Sequence, residues 1–235
     1  MESEIIYNEE SEAVFKKMAA HLGREIMRLS SIQDAVTFAV CGGRSVTSIF
    51  EYLHTENIDW EKVQFYMVDE RMVPLDHEDS NYQLVSEHLL EPLLREDKIE
   101  KEQIHAFEYK GQPDDSGLAE YIDELRDYRD ALDIVLLSSG EDGHVAALYP
   151  EHHSFTNNDQ FYIEMMDSPK MPPHRMSASR KLILAGQVGF ILFMGEGKRD
   201  AFNAFINPET PLEKCPAKLI QFLPQSYIGT DLKLE

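Results

Sequence analysis

Cysteine is scarce: Cys41 and Cys215 are the only two in 235 residues. They lack the C-x-x-C spacing of a redox motif and are too few for a disulfide-stapled scaffold. They are expected to be reduced thiols of a cytoplasmic protein. Long apolar runs are lacking as well. Stretches such as DIVLL and FILFM are far too short to cross a bilayer. The first residues, MESEIIYNEE, have neither a basic segment nor an apolar core, so no signal peptide is expected. Positive charge is in short supply: 22 Lys and Arg face 43 Asp and Glu, for a net charge of −21. Nucleic acid and anionic membranes need a basic footprint, and neither is expected as a partner. A small anionic substrate remains open, provided cations cluster locally in the acidic background. There is no H-E-x-x-H, no Cys/His framework, no Walker loop and no G-x-G-x-x-G. No metal and no nucleotide cofactor are therefore expected. Repeats, low-complexity tracts and dividing linkers are absent too, which favours a single domain over 1–235.

Hydrophobic residues make up 43% of the chain and charged residues 28%, the balance of a folded globular protein with a substantial core. The apolar pattern alternates between two periods. A helix is expected over 8 to about 29, with Ala13, Phe15, Met18, Ala19, Leu22 and Ile26 on one stripe. Strands are expected over 35–40, 63–68, 131–137, 161–166 and 189–194. Helices are expected over 45–53, 80–94 (Asp79 or Ser80 as N-cap), 113 to about 129, and 197–206. Strands alternating with helices imply an α/β fold with a doubly wound, mostly parallel sheet and helices on both faces.

In such sheets ligands bind beyond the carboxyl ends of the strands. Four strands here end in unusual polar chemistry: CGGRS (41–45), VDER (68–71), SSGEDGH (138–144) and MGEGKR (194–199). The ends of parallel strands share one edge, so these groups can converge. Gly42 and Gly43 allow close backbone approach, and a helix starting at Arg44 and Ser45 offers free N–H groups to an anion. Arg71 can grip a phosphate with a forked pair of hydrogen bonds, beside Asp69. His144, following Gly143 at the expected start of a helix, is a candidate general base, with helix-start N–H groups available to an oxyanion. Lys198 and Arg175 are further candidate cations. Each has an ordinary counterpart: a plain turn, an internal ion pair, a helix cap, a solvated lysine. Asp142, His144, Glu151, His152 and His153 form a ligand-rich stretch, but without the spacing of a known metal motif.

Taken together, GGRS, VDERMVPLDHEDSNYQL (68–84), SSGEDGHVAALYPEH (138–152) and GEGKRDAF (195–202) resemble the 6-phosphogluconolactonases in order and spacing, PPHRMSAS (172–179) and CPAKLI (215–220) resemble that family's proline-arginine segment and C-terminal proline motif, and the resemblance runs over about residues 10 to 230. The resemblance implies the modified Rossmann-like fold shared with glucosamine-6-phosphate deaminases, with room for a small appended subdomain. It implies hydrolysis of 6-phospho-D-glucono-1,5-lactone to 6-phosphogluconate in the oxidative pentose phosphate pathway, without a cofactor. The chain departs from the family pattern at Ser138, Ala147 and Ser45-Val46. On this reading His144 takes a proton from the attacking water, Asp142 orients it, and the phosphate is held among Gly42, Gly43, Arg44, Ser45, Arg71, Arg175 and Lys198. Two other readings stay open. One is an amino-sugar-phosphate deaminase with Asp69 as base, although ALYPEH lacks the asparagine-glutamate pair expected there. The other is a sugar-phosphate-binding module without catalysis. Oligomeric state is left open between a monomer and a small homo-oligomer.

Overall fold

The computed structural model describes residues 2–112 and 114–233. In chain order the elements are β1 (Glu2–Tyr7), α1 (Ser11–Ser30), β2 (Val36–Val40), α2 (Arg44–Leu53), β3 (Val63–Met67), β4 (Asp69–Arg71), α3 (Asn81–Val85), α4 (Glu91–Arg95) and α5 (Leu118–Tyr128). They continue with β5 (Ile134–Ser138), α6 (His153–Thr156), β6 (Tyr162–Met165), β7 (Arg175–Ala178), α7 (Arg180–Leu184), β8 (Val188–Phe193), α8 (Arg199–Ile206) and β9 (Gln225–Thr230).

Six strands form one sheet in the order β1-β9-β8-β5-β2-β3, every neighbour parallel. β2, β3 and β8 read as apolar runs because both faces are covered, and all three are buried throughout. Consecutive residues of β8 show the two layers. Gly189 lies against Ile220 and Leu223 of the C-terminal segment, whereas Phe190 stacks on Tyr227, which meets His21 of α1 from the other side. Val14, Phe15, Met18, Leu22 and Ile26 are the face of α1 that seals this side. Asp133, just before β5, is 1% exposed but well partnered, accepting from the Thr37 N–H and hydroxyl and from Gln187 Nε2. The entry side of the sheet is thus stitched shut, and unspent polar groups remain for the exit side.

The expected parallel α/β architecture is observed, with a small antiparallel sheet of order β4-β7-β6 at the exit edge. The chain leaves β3, passes Val68 and enters β4; the carbonyl of Val68 accepts from Ala178 N–H and so joins the two sheets. The strand expected over 161–166 belongs to this second sheet. The edge strand β1 and its neighbour β9 had no counterpart in the sequence reading. The helix start expected at residue 113 lies outside the described residues; that helix is α5. The helix expected over 80–94 does begin at Ser80, whose hydroxyl accepts from Gln83 N–H. It is interrupted by a π turn at Ser86–Leu90. Pro92 has no N–H to give the carbonyl of His88, and that carbonyl lies 3.1 Å from His54 Nε2 instead.

Candidate active site

The exit ends of β2, β3 and β5 and the small sheet enclose a cavity of about 280 Å³. Cys41, Gly42 and Gly43 come from the end of β2, Asp69 and Arg71 from β4, and Asn81 from the start of α3. Ser138, His144, Ala146 and Tyr149 come from the segment after β5, and Lys170, Met171 and Arg175 from the loop into β7. A larger hollow of about 630 Å³ beside α4 and α5 is walled by Glu91, Glu108, Glu120 and Glu124, with Lys101 as its one lining cation. An anion is unfavourable there. The smaller cavity has Arg71, Lys170 and Arg175 against Asp69.

His144 is held from two directions. Its Nδ1 lies 2.5 Å from Asp142 Oδ1, and its backbone N–H donates to the same oxygen at 3.2 Å. The Nδ1–H tautomer fits this contact and leaves Nε2 free to accept a proton. Burial would raise the Asp142 carboxyl, but the hydrogen bonds and charge of His144, helped by Lys170, outweigh it and hold it below the usual carboxylate range. Gly140 packs so tightly under the ring that a Cβ there would overlap it. Gly143 is at φ +85 with Cys215 Sγ just beyond, a place for glycine alone. No helix starts at His144, contrary to the sequence reading. Ala146 at φ +51 turns the chain, Val145 and Leu148 pair across the turn, and the next helix is the short α6. The helix-start N–H groups expected for an oxyanion are therefore not formed there, and His144 is not a helix cap.

At the opposite wall Gly43, at φ +118, opens α2, whose first turn has no side-chain cap and no acid. Its amide groups face the glycine turn and suit an anion. Arg44 and Ser45 are the first residues of α2, but their side chains do not line the cavity. Gly42 is packed against Asn81, whose side-chain amide donates to Asp69 at its carbonyl (2.9 Å) and carboxylate (3.3 Å). Arg71 and Arg175 are directly paired across β4 and β7. Arg71 donates through Nη1 to Asp79 O, and its Nε is buried without a partner. Arg175, 5% exposed, donates to the carbonyls of Pro172 and Met171 and stands 3.8 Å from Asp69 Oδ2. Glu70 points the other way. It accepts from the N–H groups of Arg71, Asn81 and Tyr82 and from the Ser80 hydroxyl, tying the start of α3 to β4. Burial pushes its carboxyl up against these bonds.

Of the candidates from sequence, Gly42, Gly43, Asp69, Arg71, His144 and Arg175 meet at the cavity, and Asp142 stands behind His144. Gly143 shapes the turn. Lys198 is outside the lining; it is half-buried, and burial lowers its ammonium although Glu141 and Asp142 pull it up. Asn81, Tyr149, Lys170 and Met171 were not anticipated. Lys170 sits inside SPKMPPHR, two residues before the Pro-Pro already singled out, and that proximity was the available signal. Burial, reinforced by Asp69, pushes the Cys41 thiol far up, which keeps it a neutral wall group. Among the described residues, the set with metal-ligand spacing is His152, His153 and Asp167, none of which lines the cavity.

Comparison with known proteins bears on the family and the fold of the chain. Residues 9–227 match the family model described as glucosamine-6-phosphate isomerases/6-phosphogluconolactonase. The chain is 29% identical over 197 residues to a 6-phosphogluconolactonase of Borreliella burgdorferi, covering 84% of each chain. It is 30% identical over 226 residues to a probable chloroplastic 6-phosphogluconolactonase 3 of Oryza sativa subsp. indica, covering 86% of this chain and 67% of the other. The crystal structure of a 6-phosphogluconolactonase from Thermotoga maritima has the same fold, with a TM-score of 0.83 at 21% identity over 97% of this chain and 99% of the other.

Proposed function

This chain belongs to the glucosamine-6-phosphate isomerase/6-phosphogluconolactonase family, and from that premise we propose that it hydrolyses 6-phospho-D-glucono-1,5-lactone to 6-phosphogluconate, a step of the oxidative pentose phosphate pathway, with His144 as general base. The observation that carries the reading is the 2.5 Å contact between His144 and Asp142, set in a cavity whose other walls carry three cations. A lactone is an activated ester, so no covalent nucleophile is needed. Water attacks C1 while His144 Nε2 takes its proton and Asp142 steadies the imidazolium. As the tetrahedral intermediate collapses, the bond from C1 to the ring oxygen breaks. His144 returns the proton to that oxygen, leaving a hydroxyl at C5 and a carboxylic acid at C1, which loses its proton to solvent to give the carboxylate. Lys170, in the cavity lining and 3.7 Å from Asp142 Oδ2, is the cation assigned to the charge that develops at C1. Arg71, with the glycine turn and the first amides of α2, takes the phosphate. Arg175 holds the Met171–Pro172 loop and offsets Asp69.

Asp69, the base a deaminase would require, is 5% exposed and engaged by Asn81 and Arg175, which favours the lactonase reading. No described helix is long and apolar enough to cross a membrane. The two free cysteines fit a reducing compartment, and a cytoplasmic location is part of the proposal. The test is His144→Asn, with the lactone generated in place by glucose-6-phosphate dehydrogenase and spontaneous hydrolysis subtracted. Asparagine keeps a hydrogen-bonding group but carries no proton near neutral pH. The expected outcome is a kcat lower by about 10²–10⁴ with 6-phosphogluconate binding intact. A folded variant with near-wild-type kcat overturns the mechanism.

A further inference from the structure

We propose that His152, His153 and Asp167 form a binding site for a divalent transition-metal ion, zinc above all, that clips together two loops beside the cavity. Two imidazoles and one carboxylate are a donor set for zinc, copper or nickel rather than for magnesium or calcium. The three donors lie within 4.8 Å of one another. Asp167 Oδ1 is 2.8 Å from His153 Nε2 and 3.8 Å from His152 Nε2. An ion about 2.0–2.1 Å from each ligand needs donors roughly 3–3.5 Å apart, so small side-chain rotations suffice. His153 and Asp167 are exposed, which leaves the ion an entry path and free positions for water.

A second feature prepares the site. The His152 ring is fixed edge-on against Tyr149, and its Nδ1 lies 3.0 Å from Ser154 Oγ. That contact directs Nε2 toward Asp167. In the metal-free chain Nδ1 accepts from the Ser154 N–H at 3.2 Å, so ligation through Nε2 exchanges that bond for an Nδ1–H bond to Ser154 Oγ, the kind of outer hydrogen bond that orients most metal-bound histidines. The site is separate from the chemistry at His144 but adjacent to the wall around it. Asp167 precedes Ser168, whose hydroxyl is 2.9 Å from the Tyr149 hydroxyl and accepts from the N–H of Lys170. An ion held between residues 152–153 and 167 thus anchors the loop that brings Lys170 and Met171 to the cavity.

The test is zinc titration of the full chain, freed of any polyhistidine tag, by isothermal titration calorimetry at neutral pH. About one equivalent should bind. His153→Ala and Asp167→Asn should each weaken binding by about ten-fold or more, since even an outer partner of a metal site is worth that much. Both side chains are exposed, and without zinc both variants should melt with the wild type. Zinc should raise the Tm of the wild type and of neither variant. His144→Asn should bind zinc like the wild type. Absence of saturable binding would reduce the cluster to an ordinary His–Asp ion pair and overturn the proposal. Equal binding by Asp167→Asn, or binding lost only in His144→Asn, would overturn it as well, the latter by moving the ion to the catalytic cavity.

Discussion

Gly140→Ala asks whether the position of the His144 ring, and not only its presence, sets the rate. Gly140 is buried beneath the ring and is absent from the residues with positive φ, so its backbone accepts alanine. The added methyl has no room. It would overlap His144 Cε1 and Nδ1 and stand 2.7 Å from Asp142 Oδ1, where ordinary contact begins at 3.4 Å. The carboxylate must retreat by about 0.7 Å and the ring by more. A displacement of about 1 Å in a catalytic group can cost about 10²-fold. The expected result is a kcat lower by about 10²-fold, inside the range of about 10²–10⁴ for loss of general base catalysis. Affinity for 6-phosphogluconate should change little, because the proposed phosphate contacts, Arg71 and the glycine turn, are on another wall of the cavity. The coupled lactone assay gives kcat, and calorimetric binding of 6-phosphogluconate gives the affinity. Gly197→Ala is the control, since its methyl would meet only the flexible end of Glu141. A Gly140→Ala protein with wild-type melting and wild-type kcat would refute the claim that the Asp142–His144 geometry sets the rate.

Arg71→Ala should raise KM and weaken 6-phosphogluconate binding by about 1.5–3 kcal/mol, the usual loss of a hydrogen bond to a charged group, with a smaller change in kcat; an unchanged KM would make Arg71 purely structural. Glu70→Gln turns an amide donor toward groups that are all donors. Stranding one of them should cost about 1–3 kcal/mol in urea unfolding, and a variant as stable as the wild type would refute the anchoring role. Because the folded chain depresses the Asp142 carboxyl, its stabilising contribution is complete above the ordinary aspartate value of about 4 and is lost as pH falls through the lower folded value. The Tm gap between wild type and Asp142→Asn should therefore be steady near neutral pH and close on acidification below about pH 4; a gap that persists there would contradict the assignment.

The layered fold was legible because burial on both faces leaves β2, β3, β5 and β8 as apolar runs, and a helical period separates them. The edge strand β1 and its neighbour β9 were not. ESEIIY and QSYIGT are mixed sequences that become strands by pairing with each other and with β8. The helix expected after His144 failed for a related reason. Val145, Ala147 and Leu148 have helical spacing, but burial of all three around the turn at Ala146 outweighs a propensity worth only tenths of a kcal/mol per residue.

Sequence alone determined the chemistry available at the exit edge: the glycine pair, the Asp-Glu-Arg triplet and the Gly-Glu-Asp-Gly-His run each end an apolar strand, and strand direction places them together. Tertiary structure alone decided which groups face one another. Arg71 meets Arg175 because β4 pairs with β7, a register set between segments about a hundred residues apart. Asn81 reaches Gly42 and Asp69 because Glu70 fastens α3 to β4. Lys170 reaches the cavity because Arg175 holds the carbonyls of its loop. Lys198, another candidate by spacing, stays outside the lining, within the influence of Glu141 and Asp142. Local pattern fixes the direction and burial of a strand, whereas the partner of a side chain depends on contacts between distant segments that no local period encodes.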